Sequence, residues 1–182
     1  MKTLSPKKSH LFLLFLSFIV SFAMSAQVGG WKADLVNDSE KALSSMIEKA
    51  PKLQPFYDKS YGYAVYPKIT KGGLGIGGAV GQGIVYKDHS PVGSSSLKQA
   101  TFGLQAGGQQ YSEVIFFENE EAFNNFKNGK LKFDAQASAV AITLGASIDV
   151  AYKNGVAVFT QVKGGLMYEA SIGGQHFSFK EK

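Results

Sequence analysis

Three groups of residues could carry chemistry in this chain, and each demands something different of the fold. Gly73, Gly75 and Gly78, within "KGGLGIGGAVGQG" at 71–83, have the G-x-G-x-x-G spacing that lets a backbone approach a dinucleotide pyrophosphate. Such a loop needs a strand before it, a helix after it and an acidic residue ~20 positions further on. Here "GGAVGQGIVYKD" continues in two-fold alternation, and the residues near 98 read "SSLKQAT" without a carboxylate. No Gly-Lys-Ser/Thr occurs either, so the phosphate-loop reading fails on context.

The second group is catalytic or metal-binding. His89 sits in the polar "KDHSP", His176 alternates with Phe177, and the chain contains no cysteine. Two isolated histidines make a poor metal site. Ser94–Ser96 lack a Gly-x-Ser-x-Gly elbow, and Glu118, Glu120 and Glu121 suit the start of a helix. No triad, metal set or cofactor site emerges, and the chain does not read as an enzyme.

The third group is cationic. Lys68 and Lys71 flank Pro67 beside Tyr63 and Tyr66, an arrangement that could hold ammonium groups over a lipid headgroup with apolar surface nearby. Lys163, before Gly164-Gly165, is a third candidate. These lysines could equally be solvated loop residues.

The elements that must position these residues follow from periodicity. Trp31, Leu35, Ala42, Leu43, Met46, Ile47 and Ala50 fall at helical spacing, with Asp38 and Ser39 as possible starts and Pro51 as the stop. "KLQPFYDKS" predicts a short second helix with Pro55 in its first turn. From "YGYAVYP" onward the period is two. "QATFGLQAGGQ", "YSEVIFFE", "LMYEASIGG" and "HFSFK" read as strands, interrupted by one short helix in "ENEEAFNNFKNG" that Asn119 caps. Ile148, Val150 and Tyr152 lead into Asn154-Gly155, the pair a type I′ hairpin turn requires. "DHSPVGSSSLK", 88–98, reads as a long loop. A faint echo, "GLGIGG", "GLQAGG" and "GLMYEASIGG", suggests strands bent or closely approached at similar places. In that picture Gly73, Gly75, Gly77 and Gly78 are structural, leaving room for a neighbouring strand or a ligand.

Bulk composition narrows the partners. Residues 1–26 carry Lys2, Lys7 and Lys8, an apolar run from Leu11 to Met24 and a small-residue "AMSAQ", the pattern of a secretory signal peptide. The remaining 27–182 is expected to be one domain, helical over 27–60 and β-rich over 61–182, exported to a periplasm. Without the leader, 16 bases face 14 acids, so no general attraction to polyanions follows. All 19 bases are lysine. Lacking arginine's rigid bidentate fork, the chain is poorly equipped to read nucleic acid. With no disulfides, stability must come from the core, for which 45% hydrophobic residues suffice.

"YGYAVYPKITKGGLGIGGAVGQGIVY" resembles the signature segment of the SYLF domain family. The likeness extends through "TFGLQAGGQQYSEVIFFENEEAFNNF" and "VKGGLMYEASIGG", roughly residues 40 to 175. Members bind lipids; eukaryotic ones bind phosphoinositides, and some bind actin. The resemblance therefore implies a non-enzymatic lipid-binding module and favours Lys71, which lies in the matching segment. A secretory leader stands where eukaryotic relatives can carry a membrane-binding helix.

The expected fold is α+β: N-terminal helices packed on a curled, mostly antiparallel β-sheet, open or closed into a small barrel. The expected partner is anionic phospholipid or a membrane surface in the cell envelope. An envelope scaffold or stress protein acting through protein contact is the alternative.

Overall fold

The computed structural model describes residues 32–131, 139–141 and 152–182. The leader, Trp31, and Ile148 and Val150 of the expected hairpin strand lie outside the described residues. Helix α1 spans Ala33–Lys49, a 3-10 turn Pro51–Leu53 and helix α2 Gln54–Lys59. Strands β1 (Gly62–Lys87) and β2 (Ser90–Phe117) follow, then α3 (Glu120–Lys127), β3 (Ala139–Ala141) and β4 (Val156–Glu181). The sheet order is β1-β2-β4-β3. β1–β2 and β2–β4 are antiparallel, and the short β3 runs parallel to β4. The curled, mostly antiparallel sheet is as expected. Among the described residues it remains open, with β1 and β3 at its edges, so the barrel form is not the one adopted.

β1 and β2, at 26 and 28 residues, are far longer than the five or six residues usual for a strand. They fit because β1 doubles back on itself. A methyl placed on Gly62 would lie 2.7 Å from the Tyr86 carbonyl, one on Gly81 2.7 Å from Ile69 Cγ1, and one on Gly73 2.6 Å from the Ile76 carbonyl. These approaches bring the strand's first half against its second about a centre near Gly75, whose φ of +72° is a left-handed conformation suited to glycine. Along the register, Leu74 faces Ala106 and Ile76 faces Phe102 on β2, while Ala106 and Phe102 face Tyr168 and Ile172 on β4. The three echoes "GLGIGG", "GLQAGG" and "GLMYEASIGG" thus lie side by side at one level of the sheet.

Doubling creates two cores. Alternate residues Tyr66, Ile69, Leu97, Ile115, Phe117, Val158 and Phe177 fill an inner cluster capped by Phe123 and Phe126 of α3. The opposite parity, Val65, Ile84, Val114, Phe116 and Phe159, packs with Leu43 and Met46 of α1. Helix α1 runs unbroken through Asp38 and Ser39; Ser39 is buried against β1 rather than acting as a start.

Asn154 and Gly155 both have positive φ, and Lys153 and Val156 exchange backbone hydrogen bonds of 2.9 and 3.1 Å, as the I′ assignment requires. The loop expected over 88–98 is corrected: only Asp88 and His89 turn, both with positive φ, and β2 begins at Ser90. Ser94, Ser95 and Ser96, which suggested a loop, are buried, and the last two are paired. Ser95 Oγ meets the Tyr66 hydroxyl at 2.7 Å, and Ser96 Oγ meets Ser178 Oγ at 2.6 Å.

Asn119 caps α3 as expected, its Oδ1 accepting from the Ala122 N–H at 3.0 Å. Asn119→Ala is expected to cost about 1 kcal/mol by orphaning that donor. The denaturation midpoint should fall accordingly, with the Asn119→Asp variant close to the parent.

Candidate functional site

Two β-bulges build the site. On β1, Tyr66 pairs with Glu113 and Ile69 with Tyr111, so Pro67 and Lys68 together oppose the single Ser112. On β4, Val162 pairs with Tyr111 and Gly164 with Gln110, leaving Lys163 as the extra residue. A bulge re-aims the side chain it carries. Both bulges flank the same short stretch of β2, and the Ser112 hydroxyl donates to the Pro67 carbonyl at 2.9 Å, fixing the first of them. Proline suits the position, because it has no N–H to offer the ladder.

Lys68 and Lys163 are brought together in a cleft of about 660 Å³ between α1 and the sheet. Lys41 from α1 and Lys98 from β2 complete a set of four cations. Asp38 is the one carboxylate in the lining, and Leu35, Ala42, Val80 and Leu97 supply apolar wall. All four lysines are exposed, and none forms an ion pair among the described residues. The cleft can therefore neutralise an anionic group while offering hydrocarbon contact beside it.

The other expected residues lie elsewhere. Tyr63 is buried in the helix-facing core, its ring stacked on Tyr86 at 4.8 Å and 14°. Burial raises its hydroxyl far above the ordinary tyrosine range. Tyr66 is fully buried in the inner core, and burial likewise raises its hydroxyl despite the hydrogen bond it shares with Ser95. Lys71 is buried and lines a separate, smaller depression with Thr70, Gly108, Gln110 and Gly164. The alternation Tyr61-Tyr63-Val65 identified the strand, but β1 is covered on both faces, so neither parity of its aromatic residues reaches solvent here.

The glycines divide by role. Gly73 is the crowded one, since an added Cβ would meet the Gly77 Cα and the Ile76 carbonyl. At Gly75 nothing lies within 4 Å, so its requirement is backbone conformation and not the crowding expected of it. Gly78 is intermediate, its nearest neighbour the Gln99 carbonyl at 3.2 Å.

Sequence reasoning missed Lys41, Lys98 and Glu113. Lys98 had a usable signal: it is the exposed member of an alternating run in which Leu97 and Gln99 are buried. Glu113 lies fully buried in the inner layer, where Gln175 Nε2 donates to its Oε2 at 3.1 Å and Oε1 has no partner. Burial pushes its carboxyl up to about 7, with the Gln175 hydrogen bond opposing. Among the described residues no cluster of three or more His, Asp or Glu could hold a metal, and no helix is long and apolar enough to cross a membrane.

Residues 98–182 match the family model Ysc84, described as Las17-binding protein actin regulator. Beta cell expansion factor A of Aeromonas veronii is 27% identical over 141 residues, which cover 76% of this chain and 53% of that protein. The chain thus spans about half the length of this relative. The SYLF resemblance read from the sequence is borne out, and the matched range contains Lys98, Glu113 and Lys163 of the features above.

Proposed function

Taking SYLF kinship as the premise, we propose that this protein binds the headgroup of an anionic phospholipid or related amphiphile without catalysing a reaction on it. The observation that carries the reading is the cleft in which Lys41, Lys68, Lys98 and Lys163 face one carboxylate, Asp38, beside apolar wall. A phosphodiester finds several cations there, and the first methylenes of its glycerol or acyl portion find Leu35, Val80 and Leu97. The signal-like leader supports an exported protein acting at the cell envelope, where phosphatidylglycerol and cardiolipin are suitable anionic lipids.

The test is flotation with phosphatidylglycerol vesicles at low salt. Each lysine near an anionic surface contributes about 1 kcal/mol. The triple variant Lys68→Gln, Lys98→Gln, Lys163→Gln is therefore expected to bind roughly a hundredfold more weakly. Binding by the parent should fall steeply with salt. Equal flotation of parent and variant would remove the cleft from the account.

A second reading rests on the family description, which names a protein partner, Las17. Under it the same domain acts as an envelope scaffold through protein contact. Retention of a defined partner from envelope extract, undiminished by lipid competitor, would favour it over the lipid reading.

A further inference from the structure

The level at which the sheet doubles over is chemically unlike the rest of the surface. Leu74, Ile76 and Phe102 stand 83%, 68% and 62% exposed there, among the most exposed large apolar side chains among the described residues. Ile76 and Phe102 are direct cross-strand partners and share a face. Toward the cleft, that face continues through Gly78 and Ala100 to Val80 and Lys98. Val80 and Lys98 line the cationic cleft itself. Four residues of strand, ~13 Å, separate the apolar pair from the lysine row. No carboxylate occurs in 68–82 or in 96–110, whereas Lys68, Lys71 and Lys98 do.

We propose that this bend enters the acyl layer of an anionic bilayer, with Leu74, Ile76 and Phe102 as the inserted residues and Lys68, Lys98 and Lys163 at headgroup level. The proposal rests on the cleft reading and adds to it an orientation and a depth. An apolar tip followed by a cationic row, with acids excluded from both strands of the β1–β2 tip, complements the order of hydrocarbon and phosphate in an anionic leaflet. Lysine stems a few ångströms long can reach back to phosphate from the cleft mouth. Interfacial elements bury their apolar face ~5–10 Å deep, which the stretch between the two rows accommodates. A protein partner or a second copy of this chain is the poorer occupant, because three side chains fall well short of the ~800 Å² per partner of a stable interface. The glycines flanking the apolar residues keep the tip narrow, so insertion displaces little lipid.

The absence of cysteine makes the full chain directly suitable for single-site labelling. Ile76→Cys and, as a reference far from the bend, Lys180→Cys are each labelled with an environment-sensitive nitrobenzoxadiazole and mixed with phosphatidylglycerol vesicles. A blue shift and quenching by acyl-brominated phosphatidylglycerol are expected at 76 and not at 180. The triple variant Leu74→Ser, Ile76→Ser, Phe102→Ser, which should fold because these side chains are exposed, is expected to lose at least tenfold in vesicle partition. Its affinity for soluble glycerophosphoglycerol, measured by calorimetry, should equal the parent's. Unchanged vesicle partition of the serine variant, or a probe at 76 that stays in water on bound vesicles, overturns the insertion while leaving the cleft reading intact. Loss of glycerophosphoglycerol binding in the parent, with the probe at 76 still quenched, upholds insertion and refutes the cleft. A concentration-dependent blue shift at 76 without vesicles assigns the tip to self-association and overturns the proposal.

Discussion

Gly83→Ala is expected to lower the denaturation midpoint by an amount equivalent to at least about 1–3 kcal/mol, and Gly83→Val to depopulate the native state. The added Cβ would press on the Val65 carbonyl and lie 2.8 Å from Tyr66 Cδ1. Neither neighbour can yield easily. Val65 is part of the β1 ladder, and Tyr66 is fully buried with its hydroxyl tied to Ser95. The two halves of β1 would have to separate, opening the inner core between them. Two companions discriminate this cause from a general intolerance of side chains. Gly164→Ala meets nothing within 4 Å and should leave the midpoint unmoved. Gly75→Ala has equal space but a φ of +72°, so it should cost about 1–2 kcal/mol through the backbone alone. A chemical-denaturation series in which all three behaved alike would contradict the doubled strand.

Thermal stability is expected to fall as pH rises from 4.5 to 7, and Glu113→Gln to abolish that part of the fall. The Glu113 carboxyl titrates near 7 in the fold against an ordinary 4.5, because burial disfavours its charge. Its contribution is therefore fully present below pH 4.5, where both states are protonated. It declines as the unfolded chain ionises and is lost once pH passes about 7, where the folded form must ionise too. The shift corresponds to about 3 kcal/mol over the window. Glutamine has nearly the same shape and no charge, and its amide can still accept from Gln175. The variant should melt higher than the parent at pH 8 and like it near pH 4.5. Melting curves across pH 4–8 decide the matter, since a parent no less stable at pH 8 than the variant would mean that Glu113 is stabilised as an anion.

How far the site was legible differs residue by residue. Lys68 and Lys163 were found because each adjoins a backbone punctuation mark, Pro67 or Gly164-Gly165, and both lysines turned out to sit in bulges. Lys71 carried the same local credentials but falls on the buried side of the strand, one parity away from Lys68's exposure. Lys41 and Lys98 come from distant elements, α1 and β2, and no local pattern says that these will face one cleft. Glu113 announced little beyond a carboxylate between Ser112 and Val114, because alternation normally sends such a residue to solvent.

The sequence by itself determined what depends on neighbours in the chain. The apolar stripe of α1, the Asn119 cap, the Asn154-Gly155 turn and the two-fold alternation of the long strands are all settled within a few residues, by dihedral preference and side-chain period. Tertiary structure decided what depends on residues far apart. Only tertiary packing covers both faces of β1, its returning half on one side and α1 on the other, burying Tyr63, Tyr66 and Lys71, pairing Ser95 and Ser96 inside a strand, and turning a glycine-rich stretch into a bend with an apolar tip. Alternation reports that a strand has two faces. It carries no information about whether a second layer will cover the polar one, because the covering layers here are distant in sequence, α1 on one side and the strand's own returning half on the other.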